Sequence, residues 1–322
     1  MPETTVEKIA TRQAYGEALL ELGEENEKVV VLDADLSGST QTKKFAKQYP
    51  ERFFNMGIAE QNMISTAAGL ALAGKIPFAS SFAMFATGRA WEQVRNSVAH
   101  NDLNVKVAAT HAGITLGEDG ASHQIIEDIA IMNTIPKMSV LVPADATETK
   151  AIIKAVAART EPTYIRLGRP AVPVIFDKET YEFKFGKARI VKKGKDLTIV
   201  ALGVMLHKAL EAAEELKKEN IEAEVINLAT VKPLDEETIV SSVAKTGAIV
   251  VAEEHNRVGG VNTLVAAAIG RKLDQFCPLE VVAIEDRFGQ SGKLDELLEE
   301  YGLTTDHIIQ KAKSALKRKK TS

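Results

Sequence analysis

Two of the chain's six histidines, His111 and His123, lie twelve positions apart in "ATHAGITLGEDGASHQ" (109–124), flanking a Gly-Glu-Asp-Gly turn. Asp, Ser and Gly gather in turns for backbone reasons alone. Two histidines, two acids and three glycines directly after an apolar run nevertheless read as a site. A second polar cluster, "LDADLSGST" (32–40), carries two acids and three hydroxyls and is open to either reading, turn or site. The third feature is a single acid, Glu60, in "FFNMGIAEQNMISTAAGLALAG" (53–74), a stretch that otherwise reads as buried wall. The helix macrodipole favours an acid in a first turn, so Glu60 alone fits a helix start as well as a catalytic task.

Several chemistries lack their patterns. No G-x-G-x-x-G follows the first strand, and there is no Walker loop and no G-x-S-x-G nucleophile elbow. Metal ligation by His111, His123 and Asp119 would lack tight ligand spacing and any cysteine, so no metal is assigned to this chain's own residues.

The elements that must position these groups alternate. "KVVVLDAD" (28–35), "KIPFASS" (75–81), "VKVAAT" (105–110), "MSVLVPAD" (138–145) and "PTYIRL" (162–167) read as buried strands. Between them, residues 11–22, 59–74, 87–100 and 147–159 read as helices. That alternation implies a mostly parallel sheet covered by helices on both faces, with ligands at the strand ends. The stretch 168–187 breaks the pattern, and a second series restarts with "DLTIVALG" (196–203). The expectation is two three-layer α/β domains, at 1–172 and 191–322, joined by a linker at 173–190.

The bulk numbers fit a soluble globular protein: 322 residues, 45% hydrophobic, 26% charged, net charge −4. Such a balance advertises neither nucleic acid nor membrane as a partner. The basic tail "KSALKRKK" (313–320) reads as a solvated helix end. Cys277 is the sole cysteine, which excludes an internal disulfide and fits a reducing compartment. The first residues lack the parts of a signal peptide, and no run reaches membrane-spanning length, so a cytoplasmic protein is expected.

"GIAEQNM", "SFAMF…GRAWEQVR", "THAGITLGEDGASHQ" and "PTYIRLGRP" resemble the pyrimidine-binding domain of transketolases, and "TIVALG" with "AIVVAEEHNRVGG" is similar to their C-terminal domain. The resemblance covers nearly the whole chain and implies a thiamine diphosphate enzyme. It implies that Glu60 hydrogen-bonds the cofactor's pyrimidine nitrogen, a task suited by an apolar wall in which a carboxyl can share a proton. Phe82 and Phe85 would pack on the pyrimidine ring, and Asp35 would lie near the cofactor and the subunit junction. His111, Asp119 and His123 would hold the sugar's hydroxyls and carbonyl, the histidines moving protons. Arg12, Ser39 and Arg166 would form the phosphate clamp, where a guanidinium's planar fork makes paired bonds. Between Phe85 and "RAWEQVR" the chain is one residue longer than many relatives, which leaves the placing of Phe85 and Arg89 to the structure. His255, in "EEHNRVGG" (253–260), reads as structural.

Complete transketolases carry a Gly-Asp-Gly motif followed by Asn, which holds Mg2+ or Ca2+ and through it the diphosphate. That motif is missing here, and only 59 residues precede Glu60. The resemblance therefore implies the C-terminal subunit of a split transketolase, paired as α2β2 with an N-terminal subunit that bears the motif and the metal. The reaction implied moves a two-carbon ketol unit from a ketose phosphate to an aldose phosphate, and self-association through the same fold is expected. The alternatives are a deoxyxylulose-phosphate synthase-like subunit, a 2-oxoacid dehydrogenase β-like subunit, or a regulatory subunit that keeps the fold.

Overall fold

The computed structural model describes residues 7–320, so part of the N-terminal stretch read for a signal peptide lies outside the described residues. The strands in chain order are β1 (Lys8–Ala10), β2 (Val29–Asp33), β3 (Phe53–Asn55), β4 (Ile76–Ser80), β5 (Lys106–Ala109), β6 (Ser139–Leu141) and β7 (Thr163–Arg166). They continue as β8 (Ala171–Pro173), β9 (Arg189–Lys192), β10 (Leu197–Ala201), β11 (Ala223–Asn227), β12 (Thr230–Lys232), β13 (Ile249–Asn256) and β14 (Leu279–Ile284). Two sheets carry the molecule, with orders β12-β6-β7-β5-β4-β2-β3 and β14-β13-β10-β11-β9. The neighbours within each are parallel except at one edge, where β12 and β9 run antiparallel. Helices connect the parallel strands, as the right-handed crossover requires. This is the α/β class expected, and strands β2, β4, β5 and β10 are buried at every position, as sheets covered on both faces demand.

The sheets do not divide cleanly along the chain. Strand β12 leaves the second series and pairs with β6 at the edge of the first sheet. Lys232 fastens it there, its Nζ donating to the carbonyls of Asn133 and Ile135 at 2.7 and 2.6 Å. One apolar core cluster accordingly contains Val140, Val142 and Tyr164 together with Val200, Ile226 and Val231. The stretch read as a linker is also tied down. Its first residue, Pro173, ends β8, which is antiparallel to β1, and the Asp145 carboxylate accepts from the Ile175 and Phe176 amides at 2.7 and 2.8 Å.

The helix expected over 87–100 is interrupted. A π turn at Met84–Arg89, a short helical piece at Trp91–Gln93 and a second π turn at Val94–Ala99 replace it. A π turn takes up one residue more than an α turn, and such turns concentrate at functional sites. The basic tail ends the helix Thr305–Lys320 with Lys313, Lys317, Arg318 and Lys319 exposed, and Lys319 Nζ donates to the Thr246 carbonyl at 2.7 Å. Among the described residues no helix is long and apolar enough to cross a membrane.

Candidate functional site

Neighbouring parallel strands β2, β4, β5 and β7 point their C-terminal ends the same way, and the candidate residues follow those ends. After β4 come Ser81, Phe82 and Phe85; after β5 come Thr110 and His111; after β7 comes Arg169. An additional parallel bridge, Phe82 to Thr110, carries the β4–β5 ladder past its ends. It brings the Phe82 ring onto the His111 imidazole, stacked at 3.9 Å between centroids. Phe85 lies nearly parallel to Phe82 at 6.2 Å, and the His123 ring stands edge-on to Phe85 at 5.2 Å. Four of the expected residues thus form one aromatic wall.

Glu60 closes this wall at one end. It opens the helix Glu60–Leu72 and its side chain is 1% exposed. Oε1 accepts from Ser81 Oγ at 2.9 Å and Oε2 from Arg89 Nη1 at 2.7 Å, while the Arg89 guanidinium carbon lies 4.6 Å from the Phe85 ring centroid. The carboxylate therefore turns into the site and spends nothing on capping its own helix. A first-turn role through the macrodipole remains compatible, but it does not explain the burial.

The histidine loop is braced from behind. Gly113, at φ +80, lets the backbone lie against the Glu254 carboxylate where any Cβ would clash, and Thr115 N–H donates to Glu254 Oε1 at 2.7 Å. Gln124 Nε2 ties the loop to itself through the Ile114 and Gly117 carbonyls at 3.1 and 3.0 Å. His111 itself is held at φ +60, left-handed backbone that is uncommon outside glycine. His111 Nδ1 pairs with Thr110 Oγ1 at 2.8 Å, and His123 Nδ1 with Ser122 Oγ at 2.9 Å. Asp119 is exposed in the turn and bonds neither histidine.

Burial, then the charges of Arg12 and Arg169, push the His111 pKa down to about 3. The imidazole is neutral at neutral pH, a state in which it both donates and accepts. The sign of the linked stability follows. The unfolded chain takes up this proton as pH falls through about 6.5, the folded chain only near 3, so stability is lost over that window at up to about 1.4 kcal/mol per pH unit. His111→Gln is therefore expected to flatten the fall in Tm between pH 7 and pH 5; an unchanged fall would contradict the buried neutral imidazole.

The far end of the site corrects one expectation. Arg166 does not reach a phosphate clamp. It lies inside β7 with its side chain 6% exposed, Nε donating to Asp128 Oδ2 at 2.7 Å and Nη2 to the Glu254 carbonyl at 2.9 Å. Its Nη1 also pairs with Glu254 Oε2 at 3.5 Å, so the charge is spent internally. Burial alone would lower its pKa, but Asp128 and Glu254 outweigh burial and raise it. The arginine that stands by Arg12 is Arg169, just beyond the strand end. Arg12 Nε donates to the Arg169 carbonyl at 3.2 Å and Nη1 to the Ser39 carbonyl at 2.8 Å, while Arg169 Nη1 donates to the Leu116 carbonyl. Burial and the neighbouring Arg169 lower the Arg12 pKa. Among the described residues no carboxylate is ion-paired with either, although Glu118 shares with them the lining of a cavity of about 300 Å3. Two like charges held side by side without a counter-ion make a seat for an anion.

In the "LDADLSGST" cluster Asp33 fits the turn reading. Asp33 is buried and organises the turn, accepting from Leu36 N–H and Thr40 Oγ1 at 2.6 Å each and from Thr42 Oγ1 at 2.9 Å. Asp35 is exposed at φ +62, its Oδ1 accepting from Asn55 Nδ2 at 3.0 Å. The acids of "EEHN" are braces: Glu253 accepts from the Val261 and Asn262 amides at 2.8 and 2.9 Å, and Glu254 holds the histidine loop. His255 is structural as well. Its Nδ1–H donates to the Asn256 carbonyl at 2.7 Å, and its Nε2 accepts from the Ala130 amide at 3.3 Å.

A flat apolar wall with a buried carboxylate at its edge suits a heteroaromatic ring that carries N–H groups, so these residues fit a pyrimidine. Among the described residues no group of three or more His, Cys, Asp or Glu side chains could hold a metal ion.

Residues 7–174 match the family described as "Transketolase, pyrimidine binding domain", and residues 186–308 match "Transketolase, C-terminal domain". A protein of Methanocaldococcus jannaschii, provisionally described as a transketolase C-terminal section, is 52% identical over 95% of this chain and 96% of its own length. The 6-deoxy-6-sulfo-D-fructose transketolase subunit of a Clostridium species is 43% identical over 98% of each. A solved structure described as a split gene transketolase, inactive β4 tetramer, superposes with a TM-score of 0.89 at 53% identity, covering 96% of this chain and 99% of that one.

Proposed function

The chain belongs to the transketolase family, and on that premise we propose that it is the C-terminal subunit of a two-chain transketolase acting on sugar phosphates. The observation that carries the proposal is Glu60, a carboxylate 1% exposed at the edge of the Phe82–Phe85 wall. When bound, thiamine diphosphate would supply the carbon nucleophile for transfer of a two-carbon ketol unit between sugars. Phe82 and Phe85 would stack on its pyrimidine and Glu60 would hydrogen-bond the ring nitrogen, where a desolvated carboxylate acts most strongly. His111, neutral and fixed by Thr110, and His123 hold the sugar's carbonyl and hydroxyl oxygens and move protons between them. Arg12 and Arg169 bind the terminal phosphate through their forks.

The diphosphate and its metal belong in this reading to an N-terminal partner with the Gly-Asp-Gly…Asn motif, in an α2β2 assembly. The tetramer described for the 53% identical relative supports self-association of this chain when that partner is absent. The test is reconstitution: the chain, the partner, thiamine diphosphate and magnesium, assayed for ketol transfer from a ketose phosphate to an aldose phosphate. Activity only in the mixture is expected; a stable assembled pair that transfers nothing would refute the proposal.

The clamp has its own test. Arg169→Ala is expected to raise KM for a phosphorylated ketose about ten- to a hundredfold, with little change for an unphosphorylated one. Equal effects on both substrates would place Arg169 outside the phosphate site.

A further inference from the structure

Arg89 already makes the two contacts that the proposed function asks of an aminopyrimidine. It is a flat, N–H-bearing group lying over the Phe85 ring, 4.6 Å from guanidinium carbon to centroid, and it donates to Glu60 Oε2 at 2.7 Å. One ring face and one carboxylate oxygen do not serve two occupants. We propose that Arg89 is a latch: it fills the pyrimidine's seat while the cofactor is absent and must swing out when the cofactor enters. This rests on reading Glu60 as the cofactor's partner.

Three further observations support a latch. Glu60 is buried and its other oxygen is taken by Ser81, so an empty seat without Arg89 would leave its charge unpaired, which a protein interior does not tolerate cheaply. The Arg89 side chain is 45% exposed and makes no other hydrogen bond or ion pair among the described residues, so its way out to solvent is open. Finally, Arg89 ends the π turn Met84–Arg89, and the next residue, Ala90, lies at φ −101, ψ 14, off the helical conformation. The latch therefore sits at a joint between two helical pieces, which can absorb a change of direction.

The test is calorimetric titration of thiamine diphosphate, with magnesium, into the assembled pair. Arg89→Met keeps the aliphatic stem and loses charge and donors. It is expected to bind the cofactor about three- to tenfold tighter than wild type, because the closed fraction no longer competes. The free Arg89→Met chain is expected to melt below wild type. Arg89→Lys keeps the ion pair without the flat fork and should fall between. Unchanged or weaker binding by Arg89→Met would overturn the latch and make Arg89 a bystander or part of the loaded site. If the wild-type pair takes up no thiamine diphosphate, the reading of Glu60 fails and the latch with it. If the wild type binds, Glu60→Gln binds more weakly and Arg89→Met does not tighten, only the latch fails.

Discussion

Glu60→Gln, in a chain assembled with its partner, is expected to cut ketol transfer by about a hundredfold to ten-thousandfold, the usual worth of a positioned acid–base group. The amide has the carboxylate's shape and, being neutral, is cheaper to bury, so Ser81 and the helix Glu60–Leu72 can keep their places. What it loses is the ability to hold and return a proton at the edge of the Phe82–Phe85 wall. Assembly, read by sedimentation, and melting temperature are expected to stay close to wild type. A variant that assembles and turns over at the wild-type rate would remove Glu60 from the mechanism.

Arg166→Met should be the most damaging single change to stability. It strands two buried carboxylates, Asp128 and Glu254, that now share the guanidinium. Breaking a buried pair from one side costs about 3–5 kcal/mol, against a total of about 5–15 kcal/mol for a domain. Tyr164 would still donate to Asp128 Oδ2, at 2.5 Å, but a phenol supplies no charge. Urea unfolding checks the magnitude, and adding Asp128→Asn should recover part of the loss because one stranded charge is gone. A loss below about 1 kcal/mol would mean that solvent reaches the network and screens it.

Much of the first sheet was legible because buried parallel strands read as largely apolar runs, as Val-Val-Val-Leu does in β2 and Val-Ala-Ala in β5. The aromatic wall was legible through family likeness, since a phenylalanine after a strand has no private signature. Arg166 misled because it stands in a motif, "PTYIRLGRP", that holds two arginines three positions apart. Its immediate neighbours, Ile165 and Leu167, are both fully buried, so a charge between them must be neutralised inside the protein. Arg169 follows Gly168, past the strand end, where ligands of parallel sheets bind, and that position was the usable signal. Strand β12 and the two π turns left no such trace. β12 is three residues long, and its pairing is decided by a distant partner; a π turn differs from an α turn by one hydrogen-bond step.

The loan of β12 bears on how such a protein can be inherited. With Val142 N–H bonded to the Ala229 carbonyl at 2.8 Å, Thr230 and Lys232 in register with Leu141 and Val140, and one core shared across both series of strands, the first half does not own a finished sheet. A recombination point between residues 174 and 188 would leave β6 as a bare edge that seeks a strand from any neighbouring chain. An exchange of the two halves at that point would therefore have to carry β12 along with the first sheet.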